Sequence, residues 1–260
     1  MIFFRKKEKP IKKAAKEAEK QFRKISNLIS KGKLKEAYSE SLEIYRNLKS
    51  FPQSEIDECP EAINCIINYL YRLCSLARLL ERYDECINWG NEYFNETKRV
   101  YLRRGLSESE ILEEHKANDM SWSVWFNMAI ANFMKGNYVE AMNLISNYLG
   151  KSKKISVPDA IIQRFGRDIS KVGRFIMEQQ LVRFLIAAFA AGLIPKEYER
   201  FMLAIDRFLV EDLLRQAKEI ISDKEKLEKV FEKYVEAGIP REAAEADVSA
   251  INVLVRTLLK

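Results

Sequence analysis

The regular spacing of apolar residues constrains the fold of this chain more than any other feature of its sequence. They recur at intervals of three and four along nearly the whole length, while glycine and proline fall between the periodic segments. No segment alternates apolar and polar residues as a half-buried strand would. The sequence therefore predicts an all-α protein. The predicted helices cover residues 11–30, 34–50, 60–81, 83–104, 108–135, 138–150, 158–173, 174–191, 195–221, 223–236 and 240–259.

Composition limits the class of protein further. Of 260 residues, 47% are hydrophobic and 32% are charged, which excludes collagen-like, low-complexity and wholly disordered chains. The most apolar stretch, residues 184–194, is too short to span a bilayer, and we expect it to form a buried helix. No secretory signal pattern is visible at the start, so a cytoplasmic location is expected.

Three segments align with one another, at residues 29–45, 79–94 and 132–149. Each has a short turn, then an apolar or aromatic residue, an acidic residue and a small residue. The small residues are Ala37, Cys86 and Ala141. The segments resemble the turn between the two helices of a tetratricopeptide repeat. The third segment is the most similar, and its matching residues are Trp125, Ala129, Phe133, Gly136, Tyr138 and Ala141.

The resemblance implies pairs of antiparallel helices over about residues 20–149. The turns are 49 and 55 residues apart, whereas the family's repeat is about 34 residues long. Helices longer than those of the family, or inserted loops, are therefore needed to account for the wider spacing of the turns. After a linker at residues 150–156, recurring Ala-Gly and Ile-Pro pairs indicate a C-terminal helical domain. The predicted organisation is a basic segment at 1–19, helical repeats at 20–150 and the C-terminal domain at 156–260.

In tetratricopeptide proteins, the first helix of each pair lines a concave groove that binds peptides. The resemblance therefore implies a partner-binding groove formed by Phe22, Ser26, Tyr71, Ser75, Arg78, Phe126, Ile130 and Phe133. Phe22 and Ser26 occupy positions where the carboxylate-binding members of the family need Lys and Asn, so recognition of an acidic C-terminus is not expected. In the alternative interpretation, the aromatic residues pack against the C-terminal domain or a neighbouring helix.

Positive charge is concentrated in two places. Residues 1–24 contain 10 basic residues (Lys and Arg) and 3 acidic residues (Asp and Glu). The other 236 residues contain 34 basic and 35 acidic residues. The segment is either a solvated helix or a contact for an anionic membrane or nucleic acid. A second basic stripe consists of Arg164, Arg167, Lys171 and Arg174. It either contacts phosphates or an acidic partner, or is an exposed face with local ion pairs.

Residues that could carry catalysis are sparse. The chain has one histidine, His115, which we expect to be exposed, and no glycine-rich phosphate-binding motif. The four cysteines lack the spacing of a zinc site. No catalytic residue, metal or cofactor is predicted.

Two of the cysteines are expected to be neighbours. Cys74 and Cys86 occupy small-residue positions of the second repeat-like segment, where its two helices touch. They either pack as small apolar side chains or, in a protein from a thermophile, form a disulfide.

The sequence thus favours a scaffold or adaptor that presents a concave helical surface to a protein or peptide partner. The alternative is an accessory nucleic-acid-binding protein that uses the two basic elements. The sequence does not predict an oligomeric state.

Overall fold

The computed structural model describes residues 9–152, 159–166, 168–204 and 211–259. Every regular element within these ranges is helical, so the protein is all-α as predicted. The chain divides into two compact units, Met1–Leu106 and Ser107–Lys260.

The first unit is built around one central helix. Its helices are α1 (Pro10–Ser30), α2 (Leu34–Lys49), α3 (Gln53–Asp57), α4 (Pro60–Leu79) and α5 (Tyr83–Arg103). The α4 helix contacts each of the other four. Its side chains are accordingly buried on several faces, including Ile66, Leu70, Leu73 and Ala77. The other helices of the first unit therefore pack around α4.

The second unit contains a helix whose C-terminal half is buried on all sides. Its helices are α6 (Glu108–Lys116), α7 (Asp119–Met134), α8 (Tyr138–Leu149), α9 (Asp159–Phe165), α10 (Ile169–Ala190), a 3₁₀ helix (Lys196–Ala204), α11 (Glu211–Ser222), α12 (Lys224–Glu236) and α13 (Arg241–Leu258). Residues 181–188 of α10 are all fully buried. The prediction that the apolar stretch 184–194 forms a buried helix is confirmed for residues 184–189, whereas the helix ends at Ala190.

The three aligned segments form turns with the same backbone geometry. The residues at the bend, Gly32, Glu81 and Gly136, all have positive φ, at 72°, 59° and 78°. In each turn, the next backbone N–H donates to the carbonyl oxygen five residues earlier, at 2.9 Å. The small residues at 37, 86 and 141 are fully buried. The sequence alignment therefore identified three equivalent helix junctions.

The predicted Ala-Gly helix ends are confirmed as well. Gly192 ends α10 with φ 67°, and Gly238 ends α12 with φ 68°. The N–H of Leu193 donates to the oxygen of Ala188 at 3.0 Å, in the same bonding pattern as the three aligned turns. This pattern is a general way to end a helix. It therefore does not by itself assign the repeats to a family.

Four of the predicted helices, 108–135, 158–173, 174–191 and 195–221, are divided differently in the structure. The helix predicted at 108–135 is two helices, because the Asn118 side chain accepts the N–H groups of Met120 and Ser121 and starts α7. In the same way, Asp168 caps the start of α10 and separates it from α9. Of the predicted helix 195–221, residues 205–210 lie outside the described residues, and the part before them is a 3₁₀ helix.

The two compact units have different boundaries from the predicted domains. The helix α1 begins at Pro10 and buries Ile11 and Ala15, so it belongs to the first unit and not to a separate basic segment. The predicted linker at 150–156, of which 153–156 lie outside the described residues, falls within the second unit. Helix α10 packs on α8, and the Arg183 guanidinium donates to the carbonyl oxygen of Gly150 at 2.8 Å. Residues on both sides of the linker therefore share one core.

Candidate interaction groove

The α1 and α4 helices of the first unit lie side by side and form the walls of a groove. The ring of Phe22 stacks on that of Tyr69 at 4.6 Å. The Tyr69 hydroxyl, which is fully buried, donates to the carbonyl oxygen of Ala18 at 2.8 Å. These contacts fix the spacing between the two walls. They leave Phe22 and Tyr71 partly exposed on the groove side.

Arg72 occupies the groove in an unusual electrostatic environment. Its guanidinium lies 5.0 Å from the centre of the Phe22 ring, and Nη1 donates to Ser26 Oγ at 3.3 Å. No carboxylate within the described ranges forms an ion pair with it. Burial consequently lowers the pKa of Arg72. The groove therefore contains a partly desolvated cation that forms no ion pair with a carboxylate of the described residues.

The space between the walls has a volume of about 390 Å³. It is lined by Glu19, Phe22, Glu61, Asn64, Cys65, Asn68, Tyr71 and Arg72. Glu61 is neutralised by Lys12, whose Nζ lies 2.7 Å from Oε1, and this contact lowers the pKa of Glu61 to about 2. Aromatic rings, amide groups, a cation and the Glu19 carboxylate thus face one cavity. Such a surface can bind apolar, amide and carboxylate groups together.

The sequence prediction located part of this groove and missed other residues. Phe22, Ser26, Tyr71 and Ser75 are accessible on α1 and α4, whereas Arg78 is buried. Arg72, Asn64 and Asn68 were missed, because the prediction used only the groove positions that the resemblance implied. The signal available in the sequence is their spacing, since residues 64, 68, 71, 72 and 75 share one face of a helix.

The predicted groove residues of the third segment are core residues, so this part of the prediction is wrong. Phe126, Ile130 and Phe133 are at most 4% exposed. The Phe126 ring packs against that of Trp122 at 6.1 Å, and the Phe133 ring meets Phe189 of α10 at 5.0 Å. Phe133 thus packs against α10, and the face that the prediction left open is buried. The alternative interpretation, that aromatic residues pack against a neighbouring helix, holds for this segment.

The described members of the basic stripe interact within their own unit. Lys171 pairs with Asp168 at 3.1 Å and Arg174 with Glu178 at 2.9 Å. The guanidinium of Arg164 lies 5.5 Å from the Trp122 ring centre and also faces Phe165 and Phe175. Arg167 lies outside the described residues. The ion pairs reduce the positive charge that a phosphate backbone would meet on this face.

The basic N-terminal segment is partly neutralised as well. Residues 1–8 lie outside the described residues. Lys9, which directly precedes α1, and Lys12 and Lys24 within α1 form ion pairs with Glu58, Glu61 and Glu40, respectively. Part of the charge that favoured an anionic membrane or nucleic acid is therefore used in contacts with α2, α4 and the α3–α4 connection.

His115 is buried, so the prediction that it is exposed is wrong. Only 5% of its surface is accessible. Its Nδ1 lies 3.0 Å from Ser121 Oγ, and its ring meets that of Trp125. Burial lowers the pKa of His115 to about 4. The ring is therefore neutral at pH 7 and acts as part of the core.

A larger cavity of about 690 Å³ lies in the second unit. Its lining includes Glu211, Arg215, Lys218 and Lys226. Arg215 and Glu211 form an exposed ion pair one helical turn apart. Among the described residues its charges are exposed and its lining has no aromatic side chain, so this cavity favours no particular ligand.

No family model, no curated protein and no solved structure matches this chain. Within the part of the chain that the structure describes, no helix combines the length and apolar character needed to cross a bilayer.

Proposed function

We propose that the first unit binds a segment of a partner protein in the groove between α1 and α4. Arg72 carries this proposal. A partly buried cation without a carboxylate is unfavourable for folding, because burial removes hydration that the Phe22 ring and the Ser26 hydroxyl replace only in part. Groups that lower stability in this way are typical of binding sites. An acidic side chain of a partner would supply the missing countercharge.

The lining of the groove specifies the chemistry of the partner segment. Phe22 and Tyr71 offer ring surface to apolar side chains. Asn64 offers its amide group, and Asn68, whose Nδ2 donates to the carbonyl oxygen of Asn64 at 2.8 Å, offers its Oδ1 to a peptide backbone. We therefore expect a segment that places an acidic residue beside one or two apolar residues. The protein acts in this proposal as a cytoplasmic scaffold or adaptor that catalyses no reaction.

Site-specific photo-crosslinking tests the proposal directly. A photoreactive phenylalanine at position 71 is compared with one at position 46, since Arg46 is exposed on α2 and lies outside the groove. In native cell extract, we expect a discrete crosslinked protein from position 71 only. Equal crosslinking from both positions, or none from position 71, would contradict a binding groove.

Substitutions then measure the contribution of each group to capture of that partner. We expect Arg72→Ala and Tyr71→Ala each to weaken capture at least about tenfold, which corresponds to 1.4 kcal/mol or more. Leu102→Ala is the control, because Leu102 is 48% exposed and lies on α5. Circular dichroism confirms that each variant is folded. Unchanged capture by both groove variants would exclude the proposed site.

The nucleic-acid alternative is distinguished in the same experiment. A nuclease-treated extract retains a direct protein partner but loses proteins bridged by nucleic acid. We expect the crosslink at position 71 to survive this treatment. Its loss would favour the alternative.

A further inference from the structure

Cys74 and Cys86 face each other where α4 packs against α5. Their Sγ atoms are 3.7 Å apart, and both side chains are fully buried. The intervening turn is closed by the Arg82 N–H, which donates to the carbonyl oxygen of Ala77 at 2.9 Å. The N–H of Cys86 then donates to the oxygen of Arg82 at 2.9 Å. The backbone of the hairpin therefore holds the two thiols opposite one another.

We propose that Cys74 and Cys86 form a reversible disulfide when the protein is exposed to a peroxide. Disulfide sulfurs lie about 2.0 Å apart, so the two Sγ atoms need to approach by about 1.7 Å. The other two cysteines are directed to different partners. Cys65 Sγ contacts the carbonyl oxygen of Ala15 at 3.5 Å, and Cys59 Sγ contacts Glu61 at 3.6 Å. The geometry thus selects one pair among the four thiols.

The chemistry proceeds in two displacements. A thiolate of the pair attacks one peroxide oxygen, the O–O bond breaks, and water leaves after protonation, which gives a sulfenic acid. The second thiol attacks that sulfur, the S–O bond breaks, and a second water leaves as the S–S bond forms. The two sulfurs lose two electrons and two protons in total. The peroxide takes up both and is reduced to water.

Burial determines when this reaction occurs. The hydrogen bond to Cys86, together with burial, raises the pKa of Cys74, so little thiolate is present in the closed hairpin. Oxidation therefore requires α4 and α5 to separate locally before peroxide can reach the sulfurs. The same burial protects the disulfide from reductants after the hairpin closes. The pair would act as a slow switch that records prolonged oxidation.

Peptide mapping of the full-length protein tests the proposal. Fully reduced protein is treated with hydrogen peroxide in increasing urea, below the unfolding transition, and is then alkylated and digested without reductant. We expect a peptide pair that links Cys74 to Cys86 and lacks two hydrogen atoms, formed faster as urea increases. The crosslink should raise the thermal midpoint of the first unit by on the order of 10 °C, and dithiothreitol should reverse this rise.

Two variants serve as controls. Cys74→Ala should abolish the linked peptide, whereas the double variant Cys59→Ala with Cys65→Ala should retain it. A crosslink that involves Cys59 or Cys65 in the wild-type protein would overturn the proposal. Recovery of all four thiols after the same treatment would overturn it as well. Both of these results come from the wild-type chain, so the test does not depend on the folding of a variant.

Discussion

Arg183 and Asp247 form a two-point ion pair that is completely buried in the second unit. Nε lies 2.7 Å from Oδ2 and Nη2 lies 2.8 Å from Oδ1, and neither side chain is accessible to solvent. The Tyr234 hydroxyl and the Gln180 amide also donate to this carboxylate. Burial alone would lower the pKa of Arg183, but Asp247 more than offsets this effect and raises it. The pair joins α10 to α13, and the hydrogen bond from Tyr234 adds α12.

The first prediction concerns this ion pair. Asp247→Asn leaves the guanidinium buried without a countercharge, and we expect the free energy of unfolding to fall by about 3–5 kcal/mol. Urea denaturation followed by circular dichroism measures the change. The double variant Arg183→Met with Asp247→Leu removes both charges and should recover most of the loss. If the single variant is as stable as the wild type, the ion pair is not the structural link we describe.

The second prediction compares two equivalent turns. Glu81 has φ 59° although it is not glycine, and it is exposed. Glu81→Gly should therefore stabilise the protein by about 1 kcal/mol through release of backbone strain. Gly136→Ala should destabilise it by about 1 kcal/mol through strain alone, since no atom lies within 4 Å of the added Cβ. Chemical denaturation measures both effects. If both variants changed the free energy of unfolding in the same direction, the two turns would not share one backbone geometry.

The third prediction concerns the pH dependence of stability. His115 has a pKa of about 4 in the folded protein, against about 6.5 when unfolded. Between these values the unfolded chain binds more protons, so stability falls as pH decreases from about 6.5 to about 4. The loss should reach about 2–3 kcal/mol. The free energy of unfolding of the wild type is compared with that of His115→Asn at each pH. The carboxylates titrate in both proteins, so their contribution cancels in the difference. Parallel stability curves from pH 7 to pH 4 would show that the histidine is not buried as a neutral ring.

The fourth prediction concerns the junction between α7 and α8. Ala141 is fully buried, and the Phe133 and Tyr138 rings meet 5.6 Å apart in the same junction. Ala141→Leu should overpack this site and lower the free energy of unfolding by about 1–3 kcal/mol. Val139→Leu is the matched control on the same helix, since Val139 is 48% exposed. Equal denaturation midpoints for the two variants would contradict close packing at residue 141.

The fifth prediction separates stability from binding at Arg72. Arg72→Met keeps the apolar stem and removes a charge that burial disfavours. It also removes a contact with Phe22 and a 3.3 Å bond to Ser26. These effects oppose one another, so we expect stability to change by less than about 1 kcal/mol while partner capture is lost. Thermal denaturation and capture of the crosslinked partner are measured on the same preparation. A variant that unfolds would instead show that Arg72 serves the fold.

The sequence by itself determined the helical class and the positions of the main turns. Helical periodicity, and glycine at positions 32, 136, 192 and 238, act through neighbouring residues of the chain, so they can be identified without knowing what packs on each helix. The small residues at 37, 86 and 141 likewise predicted close helix contacts, and the neighbouring thiols of Cys74 and Cys86 followed from the same alignment. Side-chain caps at Asn118 and Asp168 were missed, although both are visible in the sequence.

Only the tertiary structure decided which faces are open. The sequence around an aromatic residue on a helix does not show whether its side chain faces another helix or solvent. Phe126 and Phe133 are therefore core residues while Phe22 remains accessible, and His115 is buried because α7 follows directly after a break at Asn118. The tertiary structure also decides which charged side chains form ion pairs, because the two partners can lie on elements that are distant in the chain. Lys12 meets Glu61 across two helices, whereas Arg72, on the same pair of helices, has no carboxylate partner among the described residues.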